Sequence, residues 1–186
     1  VSRPVAIALL ALLGLLVGFF AYQLRQGADP GAVPSALIGR PLSPFALPPV
    51  AGREKPISPD GLSLADLTDG RVHVVNVFGS WCTSCRLETE ALMSLAARSD
   101  IALEGIDYKD DPKAGAAFLA ELGDPFGRIG FDRAGRTAID WGVYGAPETF
   151  VIDPKGRVVA RLAGPITAQN MEKIILPAIQ AAKKSS

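Results

Sequence analysis

Polar and apolar positions divide the chain into one unbroken apolar run followed by a long stretch of short alternating patterns. Residues 5–22, "VAIALLALLGLLVGFFAY", carry no charge. At about 1.5 Å of rise per residue the run reaches roughly 27 Å, near the hydrocarbon thickness of a bilayer. A buried core helix would keep a polar face, and this run has none. A cleaved signal peptide also begins with a basic residue, here Arg3, before an apolar stretch. The run is long for such a peptide and no small-x-small site follows it, so an uncleaved anchor fits better. Arg3 and Arg25 lie on opposite sides of it, so charge hardly chooses its orientation. Residues 23–36, "QLRQGADPGAVPSA", lack periodicity and are rich in Gly, Pro and small side chains. The reading is an anchor over 1–24, a linker over 25–36 and one folded domain over 37–186. The proline-dense stretch from Pro34 to Pro59 predicts extended chain with short edge strands at best.

Regular elements begin at Arg71. "VHVVNVF" (72–78) is a β-branched run that predicts a buried strand. A helix is expected over 83–98, with Leu92, Leu95 and Ala96 at helical spacing. "IALEGIDY" (101–108) predicts a second strand, and a helix is outlined by Asp111-Pro112 at its start and Gly123 at its end. After a short irregular piece, "ETFVID" (148–153) and "RVVARLAG" (157–164) predict two strands joined by a "PKG" hairpin turn. A last helix begins near Thr167, and Pro177 should kink it or end it early. Alternation followed by a terminal hairpin implies an α/β fold, a mixed sheet with helices on both faces.

Charge narrows the function. Lysine and arginine number 19, as do aspartate and glutamate, and no basic run exceeds Lys183-Lys184. Nothing there forms a nucleic-acid footprint.

The chemistry sits in "NVFGSWCTSC" (76–85), which holds both cysteines of the chain. A zinc site needs three or four ligands, and beyond Cys82 and Cys85 the only histidine is His73, inside a strand and best read as satisfied or half-exposed. Covalent haem attachment needs histidine after the second cysteine, where Arg86 stands. The expectation is therefore no metal and no cofactor beyond a redox-active Cys82–Cys85 disulfide. A strand before the pair and a helix after it place the thiols at a helix N-terminus, where free N–H groups favour a thiolate. Cys82, nearer the loop, should be exposed and attack; Cys85, one turn on, should be buried and resolve the mixed disulfide. Trp81 can shield the pair or offer a contact surface. In "GVYGAPETF" (142–150), Pro147 either starts a strand or makes a cis Ala146–Pro147 bond beside the cysteines. Composition does not choose between these.

Together, "VNVFGSWCTSC" and "GVYGAPETFVID" resemble the thioredoxin superfamily, and more narrowly the membrane-anchored CcmG/DsbE proteins of bacterial cytochrome c maturation. "LIGRPLSPFALP" (37–48), "GIDYKDDPKAGAAFLAELGDPF" (105–126) and "GPITAQ" (164–169) extend the likeness. The resemblance implies a thioredoxin-like fold and a reductase on the periplasmic side of the inner membrane, held by a single span. It implies electrons arriving from a CcdA/DsbD-type membrane donor and passing to apocytochrome c or a CcmH-type partner. It also implies Cys82 as nucleophile, Cys85 as resolving thiol and Pro147 as the cis proline. The Ala146 backbone would pair with substrate and Tyr144 would line the groove. Asn76 stands where thioredoxin has a buried aspartate and cannot take its proton. Glu88 and Glu148 match acidic positions, and either could raise a thiol pKa or relay a proton. Thr83-Ser84 lacks the proline many relatives carry between the cysteines, which leaves the reduction potential open. A general periplasmic thiol oxidant would use the same chemistry at another potential, and an anchored peptide-binding module with a purely structural disulfide would use none.

Overall fold

The computed structural model describes residues 2–26, 37–54 and 61–185. They fall into two compact units, an N-terminal helix and the domain after it. The helix, α1 (Arg3–Gln26), has 24 residues, and its segment Arg3–Tyr22 is long and apolar enough to cross a membrane by length and composition. From residue 27 on, the expected linker lies outside the described residues, as do positions 55–60 of the proline-dense stretch.

The domain is built on a five-stranded sheet. Its strands are β3 (His73–Phe78), β4 (Ala102–Tyr108), β5 (Ile129–Asp132), β6 (Glu148–Ile152) and β7 (Val158–Ala163). Their order is β5-β4-β3-β6-β7, with β3, β4 and β5 parallel and β6 and β7 antiparallel to their neighbours. The mixed sheet is the one that the alternating pattern implies. A small antiparallel pair, β1 (Ala46–Leu47) and β2 (Leu62–Ser63), stands outside it.

Every residue of the central strand β3 is buried, as a strand covered on both faces requires. Successive side chains point to opposite faces. Val74 and Phe78 join Leu92, Leu95, Phe118 and Ile179 in one core. Val75 and Val77 join Leu62, Trp141 and Phe150 in the other. His73 is fully buried with its Nε2 3.0 Å from Asp69 Oδ1, so it is the satisfied histidine of the sequence reading at one nitrogen, while Nδ1 has no hydrogen-bond partner.

Three expectations about elements change. The helix expected over 83–98 is two: α2 (Thr83–Leu87) and α3 (Thr89–Ala96), hinged at Glu88 with φ −99° and ψ 0°. The hinge is where the Glu88 side chain turns inward. The piece expected to be irregular, between α4 (Pro112–Leu122) and β6, contains β5 and a short helix, α5 (Arg136–Asp140). The N-terminus of α5 is capped from a distance: Asp132 Oδ1 accepts from Arg136 N at 3.0 Å and Oδ2 from Ala138 N at 2.9 Å. Gly135 makes the turn between them at φ +70°, a conformation that costs glycine little. Finally, of the two outcomes expected at Pro177, an early end of the last helix is not found, and an irregular turn stands before the proline instead. The chain runs from α6 (Ala168–Asn170) through a π turn over Met171–Ile175 into α7 (Leu176–Lys183), where Pro177 occupies the first turn. Lys173, whose carbonyl a regular helix would pair with the N–H that Pro177 lacks, lies within that π turn.

Candidate active site

The apolar strand β3 delivers the chain to Gly79, and the loop Gly79–Trp81 turns it into α2. Cys82 is the N-cap residue of α2, in extended conformation (φ −88°, ψ 104°), and its Sγ accepts from Cys85 N at 3.1 Å. The two cysteines form a disulfide with their Cα atoms 5.4 Å apart. A sulfur in that position is where a thiolate gains most from the free N–H groups and the helix dipole. The expected exposure of Cys82 is not found: in the oxidised pair Cys82 is 4% and Cys85 2% exposed. Both sulfurs join the apolar core, and Ala146 packs against that cluster. Trp81 supplies the exposed surface next to the pair, 53% open to solvent. Its indole N–H is held by the Tyr108 carbonyl at 3.1 Å.

Below the cysteines lies a polar cluster in an apolar core. Glu88, fully buried, accepts from Asn76 Nδ2 at 2.9 Å and from Ile166 N at 2.8 Å. Asn76 Nδ2 also donates to Thr149 Oγ1 at 3.1 Å. Burial pushes the Glu88 carboxyl up to about 7, against the opposing pull of the two hydrogen bonds. Cys85, Asn76 and Glu88 line one cavity of about 10 Å³, at the lower limit for a single water. Asn76 Oδ1 has no hydrogen-bond partner there. An acid poised near neutrality thus shares a small space with Cys85.

The second quoted segment, "GVYGAPETF", leads into β6, whose Glu148 pairs with Val77 near the end of β3. The Ala146–Pro147 bond is cis, which settles the alternative left open by composition. Glu148, at the start of β6, is buried, but its oxygens are engaged. Oε1 accepts from Tyr144 N at 2.8 Å and Gly145 N at 3.4 Å, and Oε2 accepts from Arg161 Nε at 2.7 Å. Arg161 also donates to the Gly142 carbonyl at 2.7 Å and lies over the Tyr144 ring. Glu148 and Arg161 therefore brace the loop that carries the cis proline, and of the two carboxylates expected to act on the thiols only Glu88 lacks a cationic partner. Tyr144 is 81% exposed. The backbone N–H and C=O of Ala146 have no partner among the described residues.

A strand-loop-helix cysteine pair with a cis proline at the same end of the sheet is chemistry for dithiol–disulfide exchange, and comparison with known proteins agrees. Residues 48–175 match the family model described as Redoxin. The chain belongs to the Redoxin family. Within it the chain is similar to named thiol:disulfide interchange proteins. It is 40% identical over 176 residues to HelX of Rhodobacter capsulatus, covering 95% of this chain and 96% of that one. It is 40% identical over 153 residues to DsbE of Escherichia coli, covering 82% and 79%. Among solved structures, a Chlorobium tepidum protein provisionally identified as the thiol:disulfide interchange protein DsbE superposes with a TM-score of 0.62 at 26% identity, covering 75% of this chain and 95% of that one. The thioredoxin-like fold and the DsbE-type resemblance read from the sequence both stand, and this Redoxin family member is a thiol:disulfide oxidoreductase.

Sequence reasoning missed several residues of the site. Arg161 and Thr149 stand on the terminal strands, and the Ile166 N–H comes from a loop 78 positions after Glu88. Ser80 and Asp110, 30 residues apart, also join here. Only "GPITAQ", quoted for its likeness, carried any signal of the Ile166 contact.

Proposed function

We propose that this protein is a membrane-anchored periplasmic reductase that delivers electrons to the haem-binding cysteines of apocytochrome c, or to a CcmH-type partner, during cytochrome c maturation. It is regenerated by a membrane electron donor of the CcdA/DsbD type, and the Cys82–Cys85 pair is its whole redox equipment. The membrane-length α1 and the likeness to DsbE and HelX support the setting. The observation that carries the mechanism is Glu88 lining the same cavity as Cys85.

In the reduced protein the Cys82 thiolate, stabilised by the Cys85 N–H, attacks one sulfur of the substrate disulfide. A Cys82–substrate bond forms and the other substrate sulfur leaves as thiolate. Cys85 then gives its proton to Glu88 and attacks Cys82 Sγ, which breaks the mixed disulfide, closes Cys82–Cys85 and releases the second substrate thiolate. Two electrons have passed to substrate. The unpartnered Ala146 backbone offers an extended substrate segment two main-chain hydrogen bonds, and Tyr144 and Trp81 offer it exposed aromatic surface.

The test is the redox equilibrium of the detergent-solubilised chain in dithiothreitol buffers, with Cys85→Ser as a trap. A strongly reducing potential, with apocytochrome or a CcmH-type protein captured on Cys82, is expected. A potential near the oxidising end would make the protein a general thiol oxidant. A pair that never exchanges in the native state would leave a binding module.

A further inference from the structure

The Glu148–Arg161 brace leaves one corner of the guanidinium unused. Arg161 is 5% exposed. Its Nε and Nη2 both meet Glu148 Oε2 at 2.7 Å, and Nη2 also donates to the Gly142 carbonyl. A guanidinium is planar with its donors in a fixed fork, so Nη1 at the remaining corner is turned away from Glu148. Nη1 has no acceptor among the described residues, and it is not sealed from solvent. Gly142 shows where it opens. A Cβ at Gly142 would lie 3.8 Å from Nη1 and, beyond the adjoining residues, have no other neighbour within 4 Å. Gly142 itself is exposed, so Nη1 borders open space at the surface of the cis-proline loop.

The chain beside this donor is bare. At Gly145 a Cβ would meet nothing within 4 Å, and its φ lies outside the left-handed region. Neither packing nor conformation inside the protein requires glycine there, and the missing side chain leaves room for the main chain of another molecule. The next residue is Ala146, whose N–H and C=O have no partner among the described residues. Between Gly142 and Ala146 the exposed Tyr144 ring covers one face of the guanidinium, 4.9 Å from its carbon. Four peptide units separate Gly142 from Ala146, at most about 15 Å, which four or five residues of an extended partner can follow.

We propose that Arg161 Nη1 is a subsite for a main-chain carbonyl of the substrate polypeptide, and that it sets the register of the segment that pairs with Ala146. Glu148 already neutralises the guanidinium and occupies its other edge. A carboxylate is best held by two parallel donors and an unbalanced charge, and neither is left here. A single neutral acceptor, such as a peptide carbonyl, fits what remains. Together with the N–H and C=O of Ala146 it gives an extended segment a third main-chain anchor. A segment held at three points cannot slide, so one particular sulfur is presented to Cys82. The inference rests on thiol–disulfide exchange at Cys82 and not on which protein receives the electrons.

The test uses the reduced full chain in detergent and two disulfides with the same leaving group. One is dipyridyl disulfide, which has no carbonyl. The other is a peptide whose single central cysteine is held as a mixed disulfide with thiopyridine. In both, the Cys82 thiolate bonds to one sulfur and the thiopyridine thiolate leaves with the electron pair, which its absorbance reports. The dipyridyl rate reads exchange at Cys82 by itself, so a failure there is distinct from a failure of the subsite. The peptide amides are then replaced one at a time by alkenes, which keep the shape and remove the acceptor. Ala146 accounts for the two amides that flank the residue it pairs with. A third, separate amide should also be sensitive, slowing wild type about tenfold at low peptide concentration. Arg161→Lys keeps a cation for Glu148 but has no third nitrogen. It should slow the peptide about tenfold more than dipyridyl disulfide, and in it the third alkene should cost less than about twofold. The subsite is overturned if the variant slows both disulfides equally, since Arg161 would then act only through its loop, or if the third alkene costs the same in both proteins. Should Arg161→Lys fail to fold, the wild-type scan decides, and sensitivity at only the two amides facing Ala146 overturns the proposal.

Discussion

Glu88 leaves the cysteine helix and Glu148 opens the strand after the cis proline; both are buried, and their surroundings treat them in opposite ways. Glu88 is held by an amide and a backbone N–H, both neutral. These satisfy its oxygens without balancing a charge, so burial wins and the carboxyl titrates near neutrality. Glu148 meets the Arg161 guanidinium at 2.7 Å as well as two backbone donors. A buried carboxylate with a buried cation is a brace; one with neutral donors is a proton acceptor. Burial alone does not distinguish them, and neither does position relative to the cysteines.

The harshest way to break this comparison is to remove the cation. Arg161→Ala leaves Glu148 buried without its counter-charge and also strips the Gly142 carbonyl of its donor. A loss of about 3–5 kcal/mol is expected, read as a lower urea midpoint at constant slope. A loss below about 1 kcal/mol would mean that Glu148 does not need Arg161 to be buried.

The next test removes the acceptor. Glu88→Gln keeps the shape but cannot take a proton, so resolution by Cys85 should slow about 100-fold at pH 7. Release of the second glutathione from a Cys82–glutathione adduct measures that step. In wild type the rate should rise with pH through about 7, as Glu88 becomes the base, and level off. The variant should lose that inflection. An unchanged profile would move the proton to another acceptor.

A thermodynamic companion concerns stability. The folded Glu88 carboxyl is raised from 4.5 to about 7. Between those values the folded protein holds a proton that the unfolded chain has released, so stability falls as pH rises through this window. The slope cannot exceed about 1.4 kcal/mol per pH unit for one group. Asp107, buried on β4 and thereby raised to about 8, extends the decline upward. Glu88→Gln should flatten the part up to pH 7 and leave the Asp107 part, as urea midpoints across pH 5 to about 9 would show.

Much of the scaffold is visible in the sequence because its signals are local. β3 is a β-branched run, α4 has Asp111 at its N-cap and Gly123 after its end, and β6 and β7 are separated by "PKG". What is hidden depends on side chains from distant positions. α5 looks irregular because Asp132 caps it across a glycine turn. The break at Glu88 looks helical because the cause, a carboxyl drawn to Asn76 and Ile166, lies 12 residues before it and 78 after. The cysteines and Pro147 are legible as a motif. The division of labour between Glu88 and Glu148 is not, because Arg161 enters the site from a neighbouring strand, and the enclosure of Cys82 arises from packing that no spacing records.

The smallest change sharpens the contrast most finely. Asn76 Nδ2 donates at once to Glu88 Oε1 and to Thr149 Oγ1. Thr149→Val keeps the β-branched shape that β6 favours but removes the second anchor of the amide. The orphaned donor should cost about 1 kcal/mol, far less than losing Arg161, because the Glu148 brace one residue away is untouched. A less firmly held Asn76 stabilises the Glu88 carboxylate less well, so the inflection in the resolution rate should move up, by less than about one pH unit. An inflection that stays still or moves down would show that the neutral amide does not set the acidity of Glu88, and that burial alone places it near 7.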